Sequence, residues 1–137
     1  MSTSPADRST SPLIRVSWGE VIDKITILEI KLEKLTTPQA LANVRKELDG
    51  LNAVCAGVLD GRADVMALKG ELSAVNRDLW RIEDDIRDKE RQARFDDAFI
   101  GLARAVYRTN DLRSQIKRRI NEALSSDLVE EKSYQSY

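Results

Sequence analysis

The 137-residue chain is long enough for one domain, and its 23 acidic against 22 basic residues leave a net charge of −1, too little positive field to draw it onto a polyphosphate backbone. With 42% hydrophobic and 33% charged residues, few aromatics and few turn formers, the composition predicts an all-α chain of long amphipathic helices. Histidine is absent, which removes histidine-based triads and the commonest metal ligand, and Cys55 is the single cysteine, so an internal disulfide and a paired-cysteine metal motif are excluded.

Met1 to Pro12 hold Ser, Thr, Pro and charge with nothing to bury, and read as a disordered leader. Residues 13–124 read as the helical domain, opened by an extended lead-in from Leu13 to Val16. Ser17-Trp18-Gly19-Glu20 is a capping-box pattern, in which the Ser17 hydroxyl accepts from the Glu20 amide and the Glu20 side chain reaches back to Ser17. The first helix should run to about Leu35, with Val21, Ile22, Ile25, Leu28, Leu32 and Leu35 on one face and Ile27 and Ile30 off that stripe. Thr37-Pro38 opens a second helix whose apolar face runs from Leu41 through Cys55 to Leu59, with Gly61 at its end and Gly50 and Gly57 inside it. Cys55 reads as a small core residue.

A third helix, from about Ala63 to Ala93, sets Leu68, Leu72, Val75, Leu79, Ile82 and Ile86 on one stripe. Asp96 is the next N-cap, with Phe95 stapled onto Ile100, so the third and fourth helices should form a long antiparallel hairpin within a bundle of about four helices. The fourth helix should run to about Leu124 through Phe99, Leu102, Val106, Leu112, Ile116 and Ile120, with a kink at Thr109-Asn110-Asp111. Ser125 to Tyr137 form an acidic and aromatic tail. Its scattered Leu128, Val129, Tyr134 and Tyr137 predict that it docks on the bundle or on a partner, against the alternative of a solubilising free end.

Several blocks resemble an uncharacterised family of small bacterial proteins. They are Ser17-Trp18-Gly19-Glu20-Val21 through Ile22-Asp23-Lys24-Ile25-Thr26-Ile27-Leu28-Glu29-Ile30-Lys31, Leu79-Trp80-Arg81-Ile82-Glu83-Asp84-Asp85-Ile86-Arg87, Val106-Tyr107-Arg108-Thr109-Asn110-Asp111 and Glu130-Glu131-Lys132-Ser133-Tyr134. The resemblance implies a bacterial source and a shared architecture, transfers no catalytic residue, and points to surface-polysaccharide glycosyltransferases as the first partners to try.

Carboxylates at Glu20, Asp23 and Glu29 and at Glu83, Asp84, Asp85 and Asp88 are the possible hard-metal ligands, but the last three point away from the apolar stripe beside Arg81, Lys89 and Arg91 and read as a solvated face. The fourth helix carries Arg104, Arg108, Arg113, Lys117, Arg118 and Arg119, which pairing with the acidic third helix explains without a nucleic acid. No cofactor and no metal site is expected. A candidate inter-helix polar site remains. Asn76, Trp80, Glu83 and Arg87 recur along one edge of the third helix. Arg113 falls in the apolar sector of the fourth, flanked by Asn110 and Lys117, and needs a partner, for which Glu83 and Glu29 are the candidates. The group is either a closed polar layer that fixes register or a pocket in which Arg113 and Lys117 hold an anion.

The absence of any long apolar run or secretory h-region predicts a cytoplasmic chain without a membrane span. Helices of about 30 residues would span about 45 Å, long for one small domain, which favours an elongated shape with partner-covered ends. The leading expectation is therefore a non-enzymatic protein-interaction or assembly module, with a homo-oligomer as one of its forms; the alternative is a bundle that binds or transforms an anionic or sugar-derived small molecule.

Overall fold

A computed structural model describes residues 11–137, so the expected leader falls almost wholly outside the described residues. Four helices follow in order: α1 (Trp18–Lys34), α2 (Pro38–Cys55), α3 (Ala63–Arg91) and α4 (Asp97–Ala123), and the described residues contain no strand. The all-α antiparallel architecture is as the periodicity predicts.

The helices reverse direction one after another. Gly19, Asp23 and the Ile27–Ile30 turn of α1 meet Asn121, Arg113 and Asn110 of α4 in descending order, so those two run antiparallel. Against α3 the order rises, from Ile22 beside Val65–Leu72 to Thr26 on Asn76 and Ile30 near Trp80, so α1 and α3 run parallel. The α3/α4 hairpin has the closest packing in the molecule, while α2 packs on α1 alone. α1 is thus the central helix. Its Val21, Ile25 and Leu28 close on Val44, Leu48 and Cys55 of α2, and Ile22 closes on Val65, Leu68, Leu72, Ile116 and Ile120 of the hairpin. Each fully buried aliphatic of this kind contributes about 1.5–3 kcal/mol.

The two helices of the hairpin outlast α1. A 17-residue helix rises about 25 Å and the 29-residue α3 about 43 Å. α1 therefore covers only the half of the hairpin that holds the chain's core, and Phe95, Ile100 and Tyr107 of the other half are exposed.

Five local expectations are corrected. α2 ends at Cys55, because Gly57 takes a left-handed backbone at φ 81° and Gly61 another at φ 74°, so Val58 and Leu59 belong to a turn and not to the helix. Phe95 meets Phe99 edge-on, with ring centroids 5.2 Å apart, while Ile100 stays exposed. α4 runs unbroken through Thr109-Asn110-Asp111. Leu112 is half exposed because it trails the Val106–Ile116–Ile120 stripe on the 3.6-residue turn. Ile30, off the expected stripe of α1, is buried at 1% within the chain, and Ile27 is half-buried.

Candidate functional site

The amino end of α1 is built into α4. Its first amides are all taken: Trp18 N–H donates to Ser126 Oγ at 3.3 Å, Gly19 N–H to Asn121 Oδ1 at 2.6 Å, and Glu20 N–H to Ser17 Oγ at 3.2 Å. Only half of the capping box forms. The Glu20 carboxylate turns away from Ser17 and accepts from Lys117 Nζ at 2.8 Å, since a partly buried ammonium is a stronger partner than an amide. Gly19 makes this approach feasible. A Cβ there would lie 2.6 Å from the Lys117 carbonyl oxygen.

One turn further on, Asp23 is 1% exposed and holds a closed polar cluster between α1, α3 and α4. Arg113 Nε donates to its Oδ1 at 3.0 Å and Arg113 Nη2 to its Oδ2, a two-point ion pair. Asn76 Nδ2 donates to Asp23 Oδ1 and to Thr26 Oγ1, both at 2.9 Å, and the Thr26 hydroxyl donates to the Asp23 carbonyl at 2.7 Å. Among the described residues no buried side-chain nitrogen or oxygen lacks a partner. The Asp23 bond holds the Arg113 guanidinium above its ordinary range. Lys117 lies between Glu20 and Glu130, and although burial works against its charge, those two hydrogen bonds keep the ammonium above its ordinary range.

These contacts correct the expected partners of Arg113. Glu83 is taken by Arg87 one turn along α3, at 3.3 Å, and Glu29 by Lys69 at 3.5 Å. The local spacing of four residues claims Glu83 before any contact across the hairpin, while the register of α1 brings Asp23 opposite Arg113. Pairing between the hairpin arms is likewise limited. Arg119 reaches Glu71, but Lys117 and Arg118 turn to Glu130 and Glu131 of the tail.

Beyond the Asp23 cluster, where α1 stops covering the hairpin, a groove of about 510 Å³ opens between α1, α3 and α4. Ile27, Ile30 and Leu79 supply its apolar lining, and Asn76, Trp80, Glu83, Arg87, Asn110 and Arg113 of the expected polar group all border it, with Asp84. Glu29 and Lys117 do not. Arg113 closes the inner end with a side chain 28% exposed, its Nη1 unspent on Asp23. Asp84, Asp85 and Asp88 are exposed.

Asp23 and Thr26 are the residues whose role here the sequence did not disclose. Their signal is a three-residue spacing inside the most apolar stretch of α1, between Ile22 and Ile27, where a carboxylate has to find a cation.

The tail lies along α4 through polar contacts. Glu130 accepts from Lys117 at 2.9 Å, Arg118 donates to Glu131 at 2.9 Å, Tyr137 O–H donates to Asp111 at 2.6 Å, and the Tyr107 and Tyr137 rings meet at 5.1 Å. It thus docks on the bundle while its apolar side chains stay open to water.

No helix of the described residues is long and apolar enough to cross a membrane. Comparison with curated proteins and with solved structures returned no match. One family model nevertheless covers residues 13–137, and the chain belongs to that family, the family of unknown function DUF6165.

Proposed function

We propose that this chain is a non-enzymatic interaction and assembly module of the bacterial cytoplasm, and that the groove bounded by Ile27, Leu79, Trp80 and Glu83 is its docking surface. The observation that carries this reading is the mismatch of helix lengths. α1 buries one half of the hairpin and leaves the other half, with Trp80 at the boundary, without a covering helix. An indole beside aliphatic side chains and rimmed by charges of both signs is the composition of an interface centre with its polar edge. The cations and carboxylates of the inner end are spent on one another, which supports a positioning role for them and not a catalytic one.

A photo-crosslinking amino acid in place of Trp80 tests this in cells. Protein adducts from that position, and none from Arg104 on the outer side of α4, are the expected result. Absence of any protein adduct overturns the reading.

Arg113, which lines the groove together with Trp80 and Asn110 and whose Nη1 is not spent on Asp23, favours a second reading, in which the groove holds an anionic or sugar-derived small molecule. A thermal-shift screen with nucleotides, sugar phosphates and nucleotide sugars, with and without Mg²⁺, separates the two. Stabilisation by one ligand class, lost in Arg113→Gln, would put the second reading first.

A further inference from the structure

Leu13 and Ile14 are the most exposed large aliphatic side chains of the described residues, at 89% and 80%, and Val16 follows them at 44%. They lie in a lead-in without regular secondary structure, inside the region matched by the family, ahead of the tightly held N-terminus of α1. Among the described residues Arg15 between them makes one ion pair, with Asp127, whose two side chains are both 80% exposed and which contributes little to holding the segment down. An exposed apolar segment tethered to a fixed helix end is suited to be half of an interface.

We propose that this segment, Leu13–Val16, is the occupant of the groove on a second copy of the chain, given and received reciprocally across a two-fold axis. The proposal rests on the reading of the groove as a docking surface and names its partner.

Size and chemistry agree. Four extended residues cover about 13 Å, and the groove follows α3 from Asn76 to Arg87, a rise of about 16 Å. Alternate side chains of an extended segment point to opposite sides, so a groove with two walls takes both sets. Ile14 and Val16 fit the α1 wall, where Ile27 is the half-buried aliphatic. Leu13 and Arg15, about 7 Å apart, fit the α3 wall, where Trp80 is followed one turn later by Glu83 and Asp84. Asp84 has no ion-pair partner among the described residues, and Glu83 is held only by an exposed Arg87, so a cation at Arg15 meets an acidic wall. Exchange of the two segments between two copies has the self-complementary form of a closed dimer.

Sedimentation equilibrium of the full chain, from micromolar to about a hundred micromolar, reads the outcome. The wild type is expected to be a dimer. Ile14→Glu and Arg15→Glu should each raise the dimer Kd by about tenfold or more, with the helical circular dichroism signal unchanged because both side chains stand in water within their own copy. Glu83→Arg with Asp84→Arg should weaken the dimer similarly, and adding Arg15→Glu to that pair should restore it. Ile100→Glu, at the far tip of the hairpin, should leave it intact. A wild-type monomer throughout the range overturns the proposal, as does a dimer indifferent to Ile14→Glu and Arg15→Glu. If crosslinks from position 80 then capture a different protein, this occupant is wrong and the docking groove stands; if they capture none, both fall.

Discussion

Asp23 of α1 and Arg113 of α4 form a two-point ion pair at the place where three helices meet, with the carboxylate 1% exposed and the guanidinium opening on the groove. Two buried partners of opposite charge cost desolvation that their attraction offsets only while both are present. Asp23→Ala leaves Arg113 and Asn76 without their acceptor and is expected to lower stability by about 3–5 kcal/mol. Arg113→Gln leaves the more deeply buried carboxylate without its cation and should cost about as much, again about 3–5 kcal/mol, and the double variant less than the sum of the two. Glu83→Gln, whose partner is exposed and local, should stay within about 0.5 kcal/mol. Urea unfolding of the four proteins checks the set, and equal losses for Asp23→Ala and Glu83→Gln would contradict the cluster.

The amino end of α1 supplies the second prediction. Gly19→Ala forces a methyl group against the Lys117 carbonyl at 2.6 Å, and that oxygen belongs to helical backbone and cannot swing aside. Overpacking of this kind costs about 1–3 kcal/mol. Asn121→Ala removes the acceptor of the Gly19 amide, a capping loss of about 0.5–2 kcal/mol. Because the two residues touch, the losses should be less than additive, which a thermal-melt double-mutant cycle measures.

The helices and their order were legible because each carries its apolar residues at one period, and two of the caps were legible because Ser17 and Asp96 bond their own third residues. That Arg113 needs a partner was legible too, since a charge in an apolar sector cannot stand alone. Its partner was not. Asp23 and Arg113 are 90 residues apart, and only the stagger of α1 on α4 decides that they meet, whereas Glu83 and Arg87 settle their pairing within one turn. The polar border of the groove was legible in Asn76, Trp80, Glu83, Arg87, Asn110 and Arg113, but its wall on α1 at Ile27 was not. Helical periodicity gives faces, and it took the differing helix lengths to leave one face of the hairpin bare.

Two glycines of the α2 region should respond oppositely to one substitution. Gly50 lies inside α2 with nothing within 4 Å of the place a methyl group would take, so Gly50→Ala should stabilise by about 0.5–1 kcal/mol through backbone entropy. Gly57 has equal room but sits at φ 81°, where an alanine costs about 1–2 kcal/mol. Matched melts showing the same sign for both would mean that α2 continues past Cys55.

Acid should release the tail before it unfolds the bundle. The hydrogen bond from Lys117 holds the Glu130 carboxyl below its ordinary value of 4.5. A carboxyl whose native value is depressed contributes stability above its unfolded value, and loses it as pH falls through the native one. Lys117, held above its ordinary 10.5, has the opposite window: its contribution is complete below that value and disappears as pH rises through the native one. Between these limits the tail stays on α4. Below about pH 4.5 the Glu130 link should weaken progressively, freeing Leu128–Tyr137 while Gly19 and Asn121, neither of which titrates, keep α1 on α4. Amide resonances of the tail should sharpen and move to free-chain positions in that range, with helical resonances unchanged. Glu130→Gln should show the released tail already at neutral pH, because an amide keeps the shape of the contact and loses its charge. A tail that stays in place in that variant, and in the wild type down to about pH 3, would show that Tyr137 on Asp111 and Tyr107 holds it without Lys117.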